Sequence, residues 1–268
     1  MEIVGYIGAV LMGVLLGLIG GGGSILTVPI LVYLFAVEPV LATAYSLFIV
    51  GLTSLIGSFG YLRQHLVHWG AVVGFGLPSV LSVFLTRLYL VPAIPDTLFS
   101  VGGVAVTKPT FLLVLFAVVM LLAAGSMLRK VRLQADRPAA NGPAPFNLPL
   151  ILAEGLVVGV VTGLVGAGGG FLIIPALVVL AKLPMKQAVG TSLVIIAAKS
   201  LVGFAADAGV AQGIDWGFLL AFSLVAVAGT LLGGRLARRV SNEHLRPAFG
   251  WFVLVMGIYI IGRETFLK

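Results

Sequence analysis

The 268-residue chain is 60% apolar and only 9% charged, whereas a soluble domain is nearer half apolar and a quarter charged; that excludes a soluble globular domain and leaves one polytopic membrane domain. The absence of cysteine excludes disulfides, thiol catalysis and cysteine metal sites. The net charge of +7 is carried by short loops between apolar runs, which is the positive-inside pattern and not a nucleic-acid-binding face.

The chain starts MEIVGYIGAV, with Glu2 and no basic run, so its first apolar run is expected to be a retained span and not a cleaved signal. Residues 3–36 are apolar throughout. As one helix they would be about 50 Å long at 1.5 Å per residue, too long for a hydrocarbon core of about 30 Å. The glycines at 20–23 lie in the middle, and the stretch is expected to break there into two arms. Spans follow at about 43–62, 70–90 and 110–128. A second broken stretch covers about 149–181, interrupted at 166–170, and is followed by spans at about 188–208, 217–235 and 247–262.

The two broken stretches are near copies. Residues 17–32 read GLIGGGGSILTVPILV and residues 163–178 read GLVGAGGGFLIIPALV. Without a gap, 17–60 match 163–206 at 17 of 44 positions. The chain is therefore read as a duplication: residues 1–128 a first membrane repeat, 129–148 a basic, proline-rich cytoplasmic linker, and 149–268 a second repeat.

Loop charges decide how the broken stretches run. Loop 129–137 carries Arg129, Lys130, Arg132 and Arg137 against Asp136, and loop 235–246 carries Arg235, Arg238, Arg239 and Arg246 against Glu243. Lys182 and Lys186 lie between, while 207–215 holds only Asp207 and Asp215, and 37–42 only Glu38. If each broken stretch crossed once, the two most basic loops would face opposite sides. If each is a hairpin that enters and leaves on one side, every basic loop is cytoplasmic. Each half is then a hairpin plus three crossings, an odd number, so the halves are inverted relative to each other and both termini are outside. The expected fold is all-α, integral to a bacterial-type inner membrane, with two inverted-topology repeats. Trp69 and Trp216, in the matched strings HWG and DWG, are expected at the interfaces.

Glycine-broken apolar segments at corresponding places in two halves point to a transporter's binding site. The helices after the breaks, expected to start near Ser24 and Phe171, present unsatisfied N–H groups that favour an anion. Gly20, Gly22, Gly23 and Ser24 in the first copy, and Gly166, Gly168, Gly169 and Gly170 in the second, are the candidates. The competing explanation is close helix packing. Pro29 and Pro175 limit the short helices that follow. Downstream, Ser46 aligns with Ser192, and Tyr45 with Thr191. Ser46, Thr191 and Ser192 are candidate hydroxyl ligands, although such hydroxyls also bond to their own helix. Lys199 lies mid-span with no acidic residue one turn away, and is expected to face an anionic substrate; its counterpart is Thr53. Arg87 and Arg235 are read as interfacial, and Glu154 as solvated near a helix end. His65 and His68 are placed in a loop. Neither metal spacing nor a Ser-His-Asp set is found, so no cofactor, metal or enzymatic activity is expected.

The duplicated G-x-x-G-x-G-G-G-type segments at 17–24 and 163–170, the prolines beyond them, and the A-x-x-T/Y-S-L strings at 42–47 and 188–193 resemble the sulfite exporter TauE/SafE family, also described as organosulfonate permeases. The resemblance spans both halves. It implies transport of a small sulfur-containing anion such as sulfite, thiosulfate or an organosulfonate through the lipid bilayer. With a negative cell interior, export is electrically downhill. Proton-coupled uptake of organosulfonates, an anion channel, and a membrane-embedded enzyme or assembly subunit are the alternatives, and a homo-oligomer stays open.

Overall fold

The structure, a computed structural model, describes residues 2–101, 104–128, 148–179, 181–208, 213–237 and 242–266. Arg129, Lys130, Arg132, Arg137, Arg238 and Arg239, and nearly all of the expected linker, lie outside these residues.

The described chain is almost wholly helical. Helix α1 (Glu2–Ile19) ends at the first glycine run. A 3-10 turn (Gly22–Leu26) and the short α2 (Thr27–Leu34) follow. The second helix therefore begins three residues later than the expected start at Ser24, because the 3-10 turn comes between. Helix α3 (Pro39–Arg63) starts on the Glu38 side chain, which accepts from Leu41 N at 2.9 Å, with Pro39 in the first turn. Helix α4 (Trp69–Ala93) contains two π-helical stretches, Val72–Gly76 and Thr86–Leu90. A two-stranded antiparallel hairpin comes next, β1 (Thr97–Val101) against β2 (Val104–Thr107), and then α5 (Lys108–Leu128).

The second half repeats this plan: α6 (Leu148–Val165), α7 (Gly170–Val179), α8 (Met185–Ala208), α9 (Trp216–Leu236) and α10 (Asn242–Phe266). Five helices among the described residues are long and apolar enough to cross a membrane, namely α3, α4, α5, α8 and α9. The β-hairpin interrupts an otherwise all-helical fold. It lies between the third and fourth long helices of the first half, where the second half has only a short connection, and nothing in the apolar periodicity signalled it.

The helices pair crosswise between the halves. α1 packs on α9, α6 on α4, α3 on α8, and α5 on α10. Glycines make the first two pairings close. Gly13 and Gly17 of α1 lie against the backbone of α9 at Ala226 and Thr230, with no room for a methyl group. Gly159 and Gly163 of α6 lie likewise against α4 at Ser79–Ser82 and Thr86. This is small-xxx-small packing, in which absent side chains let helix backbones approach. α3 and α8 run antiparallel. A methyl on Gly203 would meet Leu47, the Phe48 and Phe204 rings lie 4.9 Å apart, Gly51 faces Leu201, and Gly57 faces Leu193. Thr53 and Lys199 fall at the level where the two helices cross.

Candidate functional site

Positive φ at Gly20 (79°) and Gly21 (117°), and at Gly166 (73°), Gly168 (65°) and Gly169 (65°), is what ends α1 and α6 in mid-bundle. L-residues with side chains rarely adopt that conformation. The turns close on themselves. Ser24 Oγ donates to Gly21 O at 2.7 Å, and Gly169 N donates to Ala167 O at 2.7 Å. Gly20 N and Gly166 N donate back to Leu16 O and Thr162 O. The amides of Gly170 and Phe171, which head α7, have no backbone acceptor among the described residues.

The two turns touch. A methyl built on Gly21 would lie 2.8 Å from Gly170 Cα, and one on Gly168 would lie 3.5 Å from Ser24 Cβ. At their outer flanks they exchange neighbours in matched fashion: Gly20 sits on Val189 of α8, and Gly166 on Thr43, the counterpart of Val189, in α3.

Lys199 joins this cluster. Its side chain is wholly buried, and Nζ donates to Thr162 Oγ1 at 3.0 Å. A methyl on Gly169 would come within 2.8 Å of Nζ and would collide with Thr162 Oγ1. No carboxylate pairs with Lys199 among the described residues. Gly21, Ser24, Gly168, Gly169, Gly170 and Lys199 are thus brought together, and Gly22 and Gly23 belong to the same turn. Gly23 packs on the α1 backbone at Leu16, as Gly169 packs on Thr162.

The downstream hydroxyls divide. Thr191 Oγ1 accepts from the backbone N–H of His68 at 2.9 Å, and Tyr45 OH accepts from Asp215 N at 2.6 Å. His68 and Asp215 also cap α4 and α9 with their side chains. Matched positions thus hold the start of a long helix in the opposite half. Ser192 Oγ donates to Val189 O at 2.8 Å, while Ser46 Oγ is buried with no partner.

Sequence reasoning passed over several residues. Thr162 gave no signal, because its counterpart is Leu16. Ser54 and Ser200 are matched, wholly buried, and both have unpartnered hydroxyls; their identity in the repeat alignment was the available signal. Arg87 is not interfacial. It is 2% exposed, and Nη1 donates to Asp207 Oδ2 at 2.9 Å and to Thr43 Oγ1 at 3.0 Å. Asp207 is correspondingly part of α8 and not of an outer loop. The interfacial reading failed because α4 runs on to Ala93 and leaves Arg87 well inside its end. Arg235 is exposed. Glu154 is half-buried, with Oε2 unpartnered.

The model of the sulfite exporter TauE/SafE family matches residues 6–260. The chain belongs to this family. A "Probable membrane transporter protein" of Xylella fastidiosa (strain Temecula1) is 30% identical over 260 residues, covering 95% of this chain and 92% of that protein. Probable membrane transporter proteins of Methanocaldococcus jannaschii and Bacillus subtilis are 28% and 26% identical over 272 residues each. They cover 97% and 94% of this chain and 93% of each relative. No solved structure matches the chain. Family and relatives indicate a multi-pass membrane transporter and not an enzyme, so a TauE/SafE protein with this core handles a small-molecule substrate in a lipid bilayer.

Proposed function

We propose that this protein is a secondary transporter that exports a sulfur-containing anion, such as sulfite, thiosulfate or a small organosulfonate, across the inner membrane by alternating access. The observation that carries this reading is the buried Lys199 side chain against Gly169 of the second glycine turn, with the Thr162 hydroxyl and, among the described residues, no carboxylate for a partner. A buried charge of this kind is costly, and calls for a counter-ion. The free amides of Gly170 and Phe171, and the hydroxyls of Ser54 and Ser200, add donors in the same helices; Ser46 lies a few turns nearer the start of α3. Thr191 and Ser192 contribute less, because both are already engaged.

The inverted-repeat plan is supported by the crosswise pairing. An exchange of α1–α9 for α6–α4, with α3–α8 and α5–α10 mapping onto themselves, is what a two-fold relation produces. An odd number of crossings per half makes that axis lie in the membrane plane. The cluster is buried on every side, so substrate entry requires the packed units to move and expose it to one face at a time. Outward movement of an anion gains about 2.3 kcal/mol per charge per 100 mV of inside-negative potential.

The test is a binding titration on purified protein with sulfite, thiosulfate, sulfate, sulfoacetate, taurine and chloride, for wild type and Lys199→Ala. Saturable binding selective for a sulfur anion and lost in the variant is the expected result. Equal binding of every anion, unchanged by the substitution, would favour a channel and overturn the proposal.

A further inference from the structure

Arg87 carries more binding capacity than its ion pair uses. Its guanidinium lies 2% exposed within α4, in the π-helical stretch Thr86–Leu90. Nη1 alone makes both side-chain contacts, to Asp207 Oδ2 on α8 and Thr43 Oγ1 on α3. Nε and Nη2 are buried and have no hydrogen-bond partner among the described residues. An arginine retained only to pair with Asp207 would gain most from a two-pronged grip on the carboxylate. Here one nitrogen is used, and the donors of the other edge are left without acceptors among the described residues, which is unfavourable for buried groups.

That edge has a chemical meaning. Nε–H and Nη2–H point the same way and match two oxygens of one oxyanion through parallel hydrogen bonds. Thr43, which holds Nη1, also underlies Gly166 of the second glycine turn. The guanidinium is therefore linked to the central cluster through one residue. Asp207, its carboxylate partner, is 13% exposed and lies at the end of α8.

We propose that the Nε/Nη2 edge of Arg87 is a second oxyanion-binding site, between the start of α3 and the end of α8, and that it selects monovalent anions. The choice of anion rests on the transport reading above. The selectivity follows from charge. Asp207 already offsets the guanidinium, so a sulfonate or hydrogen sulfite leaves one net negative charge in the site, and sulfate leaves two.

Among the described residues, the matched positions of the other half lack this device. The GxxxG contacts place Gly234 of α9 where α4 has Arg87. A methyl on Gly234 would meet nothing within 4 Å. By the repeat register, Val189 replaces Thr43 and Tyr61 replaces Asp207. Among the described residues, the second site belongs to one half only and makes the two halves unequal in anion affinity.

The experiment is equilibrium binding of methanesulfonate to the purified full-length protein, with sulfate as competitor. Arg87→Lys keeps a cation for Asp207 and removes the Nε/Nη2 edge. Asp207→Asn keeps the edge and removes the neighbouring negative charge. Wild type is expected to bind two methanesulfonates per chain, and Arg87→Lys and Lys199→Ala one each. Asp207→Asn should bind about 10-fold more tightly at the Arg87 site, with sulfate at least about 10-fold weaker than methanesulfonate there in wild type. A single site abolished by Lys199→Ala and untouched by Arg87→Lys and Asp207→Asn would overturn the proposal and leave the central site standing. Loss in Arg87→Lys with no effect of Lys199→Ala would do the reverse. If Arg87→Lys does not fold, the Asp207→Asn affinity alone decides.

Discussion

Leu16 and Thr162 occupy matched places on the two long hairpin arms, and Thr53 and Lys199 matched places on the two helices that cross at the centre. The positions are alike, with Gly23 folded onto the Leu16 backbone and Gly169 onto the Thr162 side chain, although only Gly169 has positive φ. The chemistry is not alike. In the first half Thr53 Oγ1 donates to Ile49 O at 2.7 Å, within its own helix, and Leu16 is apolar. In the second half Lys199 crosses to Thr162 and faces the glycine turn. Duplication supplied two equivalent scaffolds, and one of them carries the charge.

The comparison breaks most readily at the lysine. Lys199→Ala should reduce efflux of labelled sulfite from proteoliposomes by about 100-fold or more, in line with the 2–5 kcal/mol lost when one side of a buried charged contact is removed. Thr53→Ala, which loses only a bond within its helix, should stay within about twofold. Equal effects of the two would mean that the halves share the work.

Gly169→Ala and Gly23→Ala sharpen the same contrast. Gly169 has φ of 65°, which costs about 1–2 kcal/mol for alanine, and its methyl would press on Thr162 and Lys199. Transport should fall about 10-fold, with a raised KM and a modest drop in Tm. At Gly23 the methyl would meet the α1 backbone at Leu16 N and Met12 O. That change should lower Tm more, and leave the KM of the folded fraction unchanged.

Thr162→Val is isosteric and removes only the acceptor for Nζ. A loss of about 3–10-fold in anion affinity is expected, because hydrogen bonds to charged groups contribute about 1.5–3 kcal/mol and bound anion replaces part of it. The smallest effects belong to Ser54→Ala and Ser200→Ala. Neither hydroxyl has a partner, so Tm should hold or rise slightly. Anion affinity should fall about threefold in each, and a fall in only one would extend the asymmetry to the serines.

Much of the helical plan was legible because the signals were redundant. Glycine runs interrupting over-long apolar stretches placed both breaks, and the repeat register placed α3 against α8 as equivalents. The β-hairpin was not legible, since residues 97–107 mix apolar and small residues at a length that fits an ordinary connection. At the site, Lys199 stood out because charge is rare in such a chain. Thr162 could not, because its role comes from a rotation of α6 that brings it under Nζ, and one apolar helix with scattered threonines looks like another. Arg87 was misplaced by a span drawn three residues short. Position alone could not reveal that a distant backbone N–H already donates to the hydroxyl of the candidate Thr191, or to that of its counterpart Tyr45.

The glycine ridge of α1 has a consequence for how the protein is made. Gly13 and Gly17 fit only against residues 226–234 of α9, more than 200 positions later in the chain. α1 leaves the ribosome long before the α9 surface that its glycine ridge packs on is synthesised, and α6 meets α4 across a shorter but still long separation. Such contacts close large loops and form slowly. A fragment ending after α5 would hold α1 with its ridge open to lipid. The duplicated halves are therefore not independent folding units, but interlocked strands of one assembly.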